Sequence, residues 1–257
     1  MLVDNHSKSK KVYNWIEENL TFSSSGDFSI VTGFFTIGAL LYFVKITNDK
    51  IAQYRIILGD ITQRDTIEIS SLDLLNADLS LEKALKLKSL AKEAVAFLKL
   101  DKVALKTLEP NFCHAKVYIH KTHDKELVEH KNFFLSGSSN LTEAGIGLKT
   151  SDNFELNIGG LGDTQYEAIL DWFNALWEHP KAHTEKYLTD EQGKETKVDF
   201  KEYLIQEIAK LFKDFLPKDI YYKILFEYFA KDVQLSINNP DLARSIDRLK
   251  SSEIYNA

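Results

Sequence analysis

Residues 114–120 read HAKVYIH, residues 133–146 read FFLSGSSNLTEAGI and residues 153–157 read NFELN. In each segment, an apolar run typical of a buried strand adjoins polar residues at one end. Side chains two positions apart in a strand point to the same face, so His114 and Lys116 are predicted to face one pocket. The sequence therefore predicts strands that bring polar side chains together at their ends.

The other two segments add further polar groups of the same kind. Residues 137–140, GSSN, follow an apolar strand, and a tight turn there would present a hydroxyl, an amide side chain and backbone N–H groups to an anion. Asn153 and Glu155 are again two positions apart. Such a convergence of polar side chains is more than a hydrophobic core normally tolerates, so a functional site is predicted.

Strands and helices alternate around this stretch. Apolar periodicity predicts strands over 28–35 and 53–60, and helices over 12–20, 37–46, 81–98 and 164–177. The alternation predicts an α/β domain, a layered fold with a mixed β-sheet flanked by helices. Asp60, at the end of the second strand, is interpreted as a helix cap or turn residue.

Changes in composition divide the chain into three predicted parts. Residues 1–180 form the α/β domain, the polar residues 181–198 form a linker, and residues 199–257 form an α-helical C-terminal extension. The extension contains a set of aromatic residues at helical spacing that we interpret as core or interface, with a base-stacking platform as the alternative. These residues are Tyr221, Tyr222, Phe226, Tyr228 and Phe229.

The composition excludes several classes of protein. Cys113 is the single cysteine, so no disulfide within the chain and no Cys-based zinc site is expected. The most apolar run, residues 34–44, is shorter than the ~20 residues that span a bilayer. A soluble cytoplasmic protein without membrane contact is predicted.

Charge is unevenly distributed along the chain. The net charge of −6 argues against general adhesion to nucleic acid. Lysines outnumber Asp and Glu over residues 83–125, however, and this surplus suits a polyanionic substrate. A solvated helix face explains the lysines of residues 83–92 equally well.

The motifs together resemble the signature of the phospholipase D superfamily of phosphodiesterases. That signature is a His-x-Lys, a downstream Gly-Ser-x-Asn and a following Glu or Asp, matched here by His114 and Lys116, residues 137–140 and Glu155. The sequence of these motifs is most similar to that of the nuclease-like branch, which includes domains fused to the N-terminal side of bacterial helicases. The resemblance covers residues 28–178.

The His-x-Lys pattern occurs four times in the chain, as His6/Lys8, His114/Lys116, His123/Lys125 and His179/Lys181. The spacing to Gly-Ser that is usual in the family fits His123/Lys125. We nevertheless assign His114/Lys116, because residues 123–131 are charged and typical of an exposed hairpin end. The chain also departs from the family at Lys121, where an Asp is common.

The resemblance implies covalent catalysis without a metal or other cofactor. His114 would attack phosphorus in line, and water would hydrolyse the resulting phosphohistidine. A second histidine would protonate the leaving oxygen. The other catalytic residues implied are Lys116, Ser138 and Asn140, which would hold the non-bridging oxygens, and Glu155, which would orient an imidazole. Further candidates for substrate contact are Ser139, Asn153 and Lys121.

One motif supplies one histidine, whereas the reaction needs two. Single-motif members of the family form C2 dimers that share the site, so an obligate homodimer is predicted. The predicted function is a DNA endonuclease acting in restriction or phage defence. Whether a helicase motor follows the C-terminus stays an open question, because the chain ends without a Walker motif. A phospholipase or phosphatidyltransferase, and a non-catalytic DNA-binding and dimerisation module, are the alternatives.

Overall fold

The computed structural model describes most of the chain. The described residues are 1–8, 10–22, 25–47, 50–59, 81–108, 113–124, 132–162, 164–189, 193–210 and 217–237. The chain divides into two compact units, the first made of Met1–Ser70 and Ser89–Phe212 and the second of Ser71–Lys88 and Lys213–Ala257. Predictions for Asp60, Lys125 and the segment from 238 onward lie outside the described residues.

A seven-stranded mixed sheet forms the centre of the first unit. Its strands are β1 (Leu2–Asp4), β2 (Gly26–Thr32), β3 (Ile51–Leu58), β4 (Val103–Thr107), β5 (Val117–Thr122), β6 (Phe133–Gly137) and β7 (Leu156–Leu161). They lie in the order β1-β7-β6-β5-β2-β3-β4. β2, β3 and β4 are parallel to one another, whereas β5, β6, β7 and β1 join by antiparallel pairing.

Two hydrophobic clusters cover the two faces of this sheet. Successive strand residues alternate between the clusters, as Tyr118 and Ile119 do on β5 and Phe133 and Phe134 do on β6. The first cluster contains residues of helices α1 (Val12–Phe22) and α2 (Ile37–Thr47) and of the second half of α3 (Leu81–Leu98). The second contains residues of α4 (Thr164–Trp177). The predicted α/β fold is therefore confirmed.

Helix α1 illustrates why the periodicity was informative. Val12, Trp15, Ile16 and Leu20 repeat at three- and four-residue intervals, and all are buried in the first cluster. An apolar stripe of this kind holds the helix against the sheet.

Two strands begin later than the sequence predicts. β5 starts at Val117 and β7 at Leu156, so His114 and Glu155 precede their strands. Polar side chains are costly to bury inside a sheet, and the ladder begins where the apolar runs begin. The short strands β1 and β4 were not predicted.

The segment predicted to be a linker contains a β-hairpin. β8 (Glu185–Thr189) pairs with β9 (Glu195–Asp199), and Thr107 and His183 exchange backbone hydrogen bonds of 2.8 and 3.0 Å. The structure differs from the prediction because a polar, exposed two-stranded ribbon has the same composition as a linker.

Helix α5 (Phe200–Ala209) also belongs to the first unit. Its N-cap Asp199 accepts a hydrogen bond from the backbone of Glu202. Phe200, Leu204, Ile205 and Ile208 are buried in the first hydrophobic cluster. The first unit therefore continues to Phe212, beyond the predicted boundary at residue 180.

In the second unit, helix α6 (Pro217–Ile237) begins at a proline, which is favoured in a first turn. Tyr221, Tyr228 and Phe229 are exposed on it, so they are not core residues of this chain, and the interface interpretation stays a prediction. None of the described helices is both long and apolar enough to cross a membrane.

Candidate active site

The three motifs meet at one end of the sheet because β5, β6 and β7 are antiparallel neighbours. Val117, the first residue of β5, pairs with Ser136, and Gly137, the last residue of β6, pairs with Asn157. Val31, near the end of β2, also pairs with Val117. The segments before β5, after β6, before β7 and after β2 therefore lie side by side.

Gly137 stands where β6 passes closest to β7. A Cβ atom at this position would lie 2.3 Å from the carbonyl oxygen of Leu156 and 2.5 Å from Oδ1 of Asn157. These distances are far shorter than van der Waals contact, so only glycine fits. The first residue of the Gly-Ser-x-Asn motif is thus required by packing.

Ser138 continues the β6–β7 ladder by one residue. Its backbone N–H donates to the carbonyl oxygen of Leu156 over 3.2 Å, and its Oγ accepts from the N–H of Leu156 over 3.0 Å. The side chain is exposed. Oγ also donates to the carbonyl oxygen of Leu156 over 3.5 Å, so a bound anion would compete with this long hydrogen bond for the hydroxyl hydrogen.

Ser139 has a different environment and is fully buried. Its N–H donates to Oδ1 of Asn157 over 3.2 Å, its Oγ accepts from Nδ2 of Asn157 over 2.8 Å, and its carbonyl accepts from the Tyr118 hydroxyl over 3.0 Å. This differs from the prediction that Ser139 contacts substrate. Its polar groups are used to hold the turn in place, as buried polar groups generally are.

Asn140 is oriented by the end of β2. Its Oδ1 accepts from the backbone N–H groups of Gly33 and Phe34, each over 3.2 Å, and lies 3.3 Å from Oγ1 of Thr32. These contacts fix the carbonyl end of the amide. The NH2 end is directed away from them and is a hydrogen-bond donor for an anion.

Lys116 is buried next to the start of β5. Its Nζ donates to the carbonyl oxygen of His114 over 2.7 Å. Burial lowers the pKa of the Lys116 ammonium, and the nearby Glu155 carboxylate opposes that shift. The hydrogen bond and the carboxylate compensate part of the cost of burying the charge. His114 itself is exposed at the sheet end.

Glu155 lies on the same face of the sheet as Lys116 and Tyr118. Burial raises the pKa of the Tyr118 hydroxyl, and the negative charge of Glu155 raises it further. The Glu155 carboxylate therefore acts on groups of β5 although β6 lies between β5 and β7. Its backbone N–H donates to Oδ1 of Asn5 over 3.0 Å.

Asn5 connects the segments around this carboxylate. The buried Asn5 donates from Nδ2 to the carbonyl of Asn153 over 2.9 Å and to that of Ala144 over 3.3 Å. Together with the bond to Glu155, one side chain holds three backbone groups. We refer to this arrangement as the Asn5 clamp.

Sequence reasoning missed three supporting residues of this site. Tyr118 and Asn157 follow Lys116 and Glu155 by two positions, so the strand alternation contains a signal for both. Asn5 has no such signal, because its partners lie 139 to 150 positions away in the chain.

Lys121 lies at the opposite end of β5 from His114. It is exposed and pairs with Asp27 across the β2–β5 ladder. Strands rise by ~3.3 Å per residue, which separates Lys121 from Lys116 by on the order of 17 Å. The structure therefore differs from the prediction that Lys121 contacts substrate in the same site.

The two remaining predicted positions also lie apart from the buried groups. His123 is beyond Lys121, with its Nε2 3.1 Å from Oδ1 of Asp27. Asn153 is exposed at the rim of the site, where its carbonyl oxygen lies 3.0 Å from Nε2 of His6.

The end of β1 brings His6 to the same edge of the sheet. β1 lies three strands from β5 in the sheet order. Neighbouring strands are ~4.8 Å apart, so the two strand ends are separated by on the order of 14 Å. His6 itself contacts the segment before β7, through the Asn153 carbonyl and the Phe154 ring, whereas His114 leads directly into Lys116 and β5.

Several solved structures match the fold. NucT from Helicobacter pylori is 11% identical, with a TM-score of 0.42, and the match covers 71% of this chain and 96% of that one. Nuc from Salmonella typhimurium, a phospholipase D family member, is 11% identical, with a TM-score of 0.41 and coverage of 71% and 95%.

Phosphatidylserine synthase from Haemophilus influenzae is 12% identical with a TM-score of 0.42, and the match covers 92% of this chain and 46% of that one. No protein-family model matches the chain, and no curated protein matches it in sequence. Nuc belongs to the family that the motifs resemble. At these identities and TM-scores, the likeness carries no argument about function, which rests on the motifs and the site.

Proposed function

We propose that this protein is a metal-independent phosphodiesterase that cleaves DNA through a phosphohistidine intermediate. The observation that carries the proposal is the convergence of Lys116, Glu155 and the Gly-Ser-x-Asn turn next to His114. These groups come from three separate segments of the chain and meet at one end of the sheet.

In the proposed reaction, Nε2 of His114 attacks phosphorus, and the bond from phosphorus to the leaving oxygen breaks. A second imidazole gives its proton to that oxygen. Water then attacks the phosphohistidine and transfers a proton to the second imidazole, while the bond from phosphorus to His114 breaks. Neutral imidazole is suited to this role because it is nucleophilic without ionisation near pH 7.

Three donors are placed to bind the phosphate oxygens in this scheme. Lys116 supplies a positive charge, Asn140 supplies its amide NH2 and Ser138 supplies its hydroxyl hydrogen. The contacts of Asn140 to Gly33 and Phe34 support the proposal, because donors that are held in advance need no rearrangement when charge develops.

Glu155 is proposed to orient an imidazole through Nδ1, as carboxylates do in catalytic triads. The Asn5 clamp supports this role by holding the backbone of Glu155. Asn153, which is exposed next to it, remains a candidate for substrate contact.

The second imidazole is proposed to come from a second copy of the chain. His114 is the histidine of the matched His-x-Lys motif, His6 contacts Asn153 and Phe154 instead, and the reaction requires two imidazoles. A C2 homodimer brings both copies of one residue to a shared axis. The homodimer is therefore part of the proposed mechanism.

DNA is preferred as the substrate because lysines outnumber acidic residues over 83–125, the region that leads into the site. The link to a helicase motor and a role in restriction or phage defence stay predictions.

The test is cleavage of plasmid and single-stranded DNA in excess EDTA, with wild type and His114→Ala compared. An alkaline quench, trimming of the DNA with a nuclease and peptide mass spectrometry check for a nucleotide joined to His114 through phosphorus. EDTA-resistant cleavage that the variant lacks is the expected result. Loss of cleavage in EDTA would refute the metal-free mechanism, and full activity of His114→Ala would refute the residue assignment.

Two further arms separate the alternative functions. Release of headgroup from phosphatidylcholine vesicles, without cleavage of DNA, would identify a phospholipase. Tight DNA binding that is equal in wild type and His114→Ala, with no cleavage in any buffer, would identify a non-catalytic module.

A further inference from the structure

The rim of the candidate site carries a highly exposed aromatic side chain. Phe154 immediately precedes Glu155 and is 84% exposed, the largest value among the large hydrophobic residues that the structure describes. The imidazole ring of His6 stacks on the phenyl ring, with 4.3 Å between the ring centroids and 21° between the ring planes. His6 therefore covers one face of the Phe154 ring, and the high exposure leaves the other face open to solvent.

Exposure alone does not point to a ligand, because single apolar side chains are common on protein surfaces. Phe154 is distinguished by the contacts that hold the peptide groups on both sides of it. Asn5 donates from Nδ2 to the carbonyl oxygen of Asn153 over 2.9 Å and accepts from the N–H of Glu155 over 3.0 Å. Nε2 of His6 lies 3.0 Å from the same carbonyl oxygen. An exposed ring on a backbone that is already fixed loses little conformational entropy when a ligand binds to it.

The Phe154 ring lies beside the proposed phosphate donors and not among them. Glu155 interacts electrostatically with Lys116, and neighbouring residues of an extended segment point to opposite faces. β7 is two strands from β5 in the sheet order, a separation of on the order of 10 Å. A nucleotide that flanks a phosphate bound at Lys116 can bridge this distance with its base.

The loop that carries His6 also carries positive charge. Lys8 and Lys10 are exposed in this loop. The Asp4 carboxylate accepts hydrogen bonds from the backbone N–H groups of His6 and Ser7 and from the Ser7 hydroxyl, so it is occupied within the loop. Exposed lysines next to a stacking ring are the combination that binds single-stranded nucleic acid, because the lysines contact phosphates and the ring contacts a base.

We propose that Phe154, backed by His6, is a stacking platform for an unpaired base of the DNA substrate, next to the phosphate that is cleaved. This inference rests on the proposed function, because the proposed reaction defines which phosphate that is. Every base has a π-face, so the platform should accept all four bases. A base inside a duplex is covered by its neighbours, so the platform should act on single-stranded DNA and leave the cleavage of duplex plasmid unchanged.

The test measures binding of an end-labelled single-stranded oligonucleotide by fluorescence anisotropy. His114→Ala serves as the background, so that the oligonucleotide is not cleaved during the measurement. Adding Phe154→Ala to this background should raise the Kd at least about 5-fold, through the loss of one stacked base. Adding Phe154→Trp instead keeps an aromatic ring and should leave the Kd unchanged.

An abasic oligonucleotide of the same length identifies the contact as one between ring and base. It has the same phosphates and no bases, so Phe154→Ala should not change its Kd. A double-mutant cycle over the ring and the bases thus isolates their interaction. A merely structural role of the ring would give the same loss of affinity with both oligonucleotides.

Ile158→Ala is the matched control. Ile158 is 54% exposed on β7, as its neighbour on the same face, Leu156, is at 59%. Its aliphatic side chain has no π-face, so the variant should bind both oligonucleotides as tightly as the background does. All of the replaced side chains are exposed, so thermal melting should not change.

Several results would overturn the platform. They are a background chain that does not bind single-stranded DNA, an unchanged Kd in Phe154→Ala, and an equal loss of affinity with the abasic oligonucleotide or in Ile158→Ala. A change of oligomeric state in Phe154→Ala, without a change in the Kd for DNA, would identify the ring as a protein interface and also overturn it.

Cleavage in EDTA separates this inference from the proposed function. A base-dependent loss of affinity in Phe154→Ala, beside a wild type that cleaves no DNA, supports the platform and overturns the proposed function. EDTA-resistant cleavage by wild type, with kcat/KM for single-stranded DNA unchanged in the Phe154→Ala single variant, supports the proposed function and overturns the platform.

Discussion

The two ends of strand β5 have similar residues in very different surroundings. At its start, Lys116 is buried, donates a hydrogen bond to the His114 carbonyl and interacts electrostatically with Glu155. At its end, Lys121 is exposed, and the contact of His123 with Asp27 is partly exposed. Both ends carry a His-x-Lys sequence. The two ends differ in the segments that adjoin them. The Gly-Ser-x-Asn turn and Glu155 lie beside the start of β5, and they do not lie beside its end.

The most direct test of the difference between the two ends of β5 is to replace each histidine in turn. We expect His114→Ala to lower kcat for DNA cleavage in EDTA by on the order of 10³-fold or more, because it removes the nucleophile. His123→Ala should stay within about 3-fold of wild type, because an exposed ion pair contributes little. Plasmid nicking rates measure both. A larger loss of kcat in His123→Ala than in His114→Ala would mean that His123, and not His114, is the nucleophile.

Glycines next to each end separate stability from function. A Cβ at Gly137 would lie 2.3 Å from the Leu156 carbonyl oxygen, and one at Gly26 would lie 2.3 Å from that of Lys121. Either Gly→Ala change should lower the free energy of unfolding by about 2–4 kcal/mol through overpacking. Urea denaturation measures that loss.

The two glycine variants should differ in activity. The Gly137→Ala chain, tested at a temperature where it remains folded, should lose cleavage because the Ser138 turn moves. The Gly26→Ala chain should retain it. Equal residual activity in the folded fraction of both would show that the Gly137 turn does not position the site.

The supporting side chains allow a subtler comparison. Asn5→Ala removes three partly buried hydrogen bonds, including the one that the Glu155 N–H donates, so a loss of about 1–3 kcal/mol in unfolding free energy is expected. Because the clamp positions Glu155, kcat should also fall while KM changes little. His123→Ala, which breaks the partly exposed contact with Asp27 and leaves Asp27 beside Arg55, should cost less than about 1 kcal/mol and leave kcat unchanged. A KM effect alone in Asn5→Ala would argue against positioning.

The smallest expected effect is the pH dependence of stability that Lys116 produces. Burial lowers the pKa of Lys116 in the folded chain, so the unfolded chain binds more protons between the folded and unfolded pKa values. The stability of wild type relative to Lys116→Met should therefore rise as the pH increases through that alkaline window. Denaturation at a series of pH values measures it. A relative stability that falls with pH would mean that Glu155 outweighs burial.

Much of the fold was predictable from local pattern. The helices α3 and α4 occupy the ranges that their apolar periodicity predicts, and the ends of β2, β3 and β6 lie within three residues of theirs. The hairpin of β8 and β9 was not predictable, because its exposed polar residues lack a contrast between a buried and a solvated face. Helix α5 was assigned to a separate extension for another reason: its apolar stripe predicts a buried face but not which unit that face packs against.

The candidate site was predictable in part. The structure brings His114, Lys116, Ser138, Asn140 and Glu155 to one end of the sheet, and their catalytic roles stay a prediction. The position of Ser139 inside the turn depends on Asn157 and Tyr118, which approach it from two other strands. Ser138 and Ser139 are neighbours in one motif, yet the first is exposed and the second is fully buried. The sequence of the motif alone does not distinguish them.

The sequence by itself determined most of the helices, the strands β2, β3, β5, β6 and β7, and which residue types could act on a phosphodiester, because periodicity and motif spacing are local properties. Only the tertiary structure decided which His-x-Lys lies beside the Gly-Ser-x-Asn turn, that Asn5 holds Glu155, and that Leu156 and Ile158 remain exposed. These properties depend on contacts between residues far apart in the chain. The antiparallel register of β5, β6 and β7 creates those contacts at one end of the sheet and excludes them at the other.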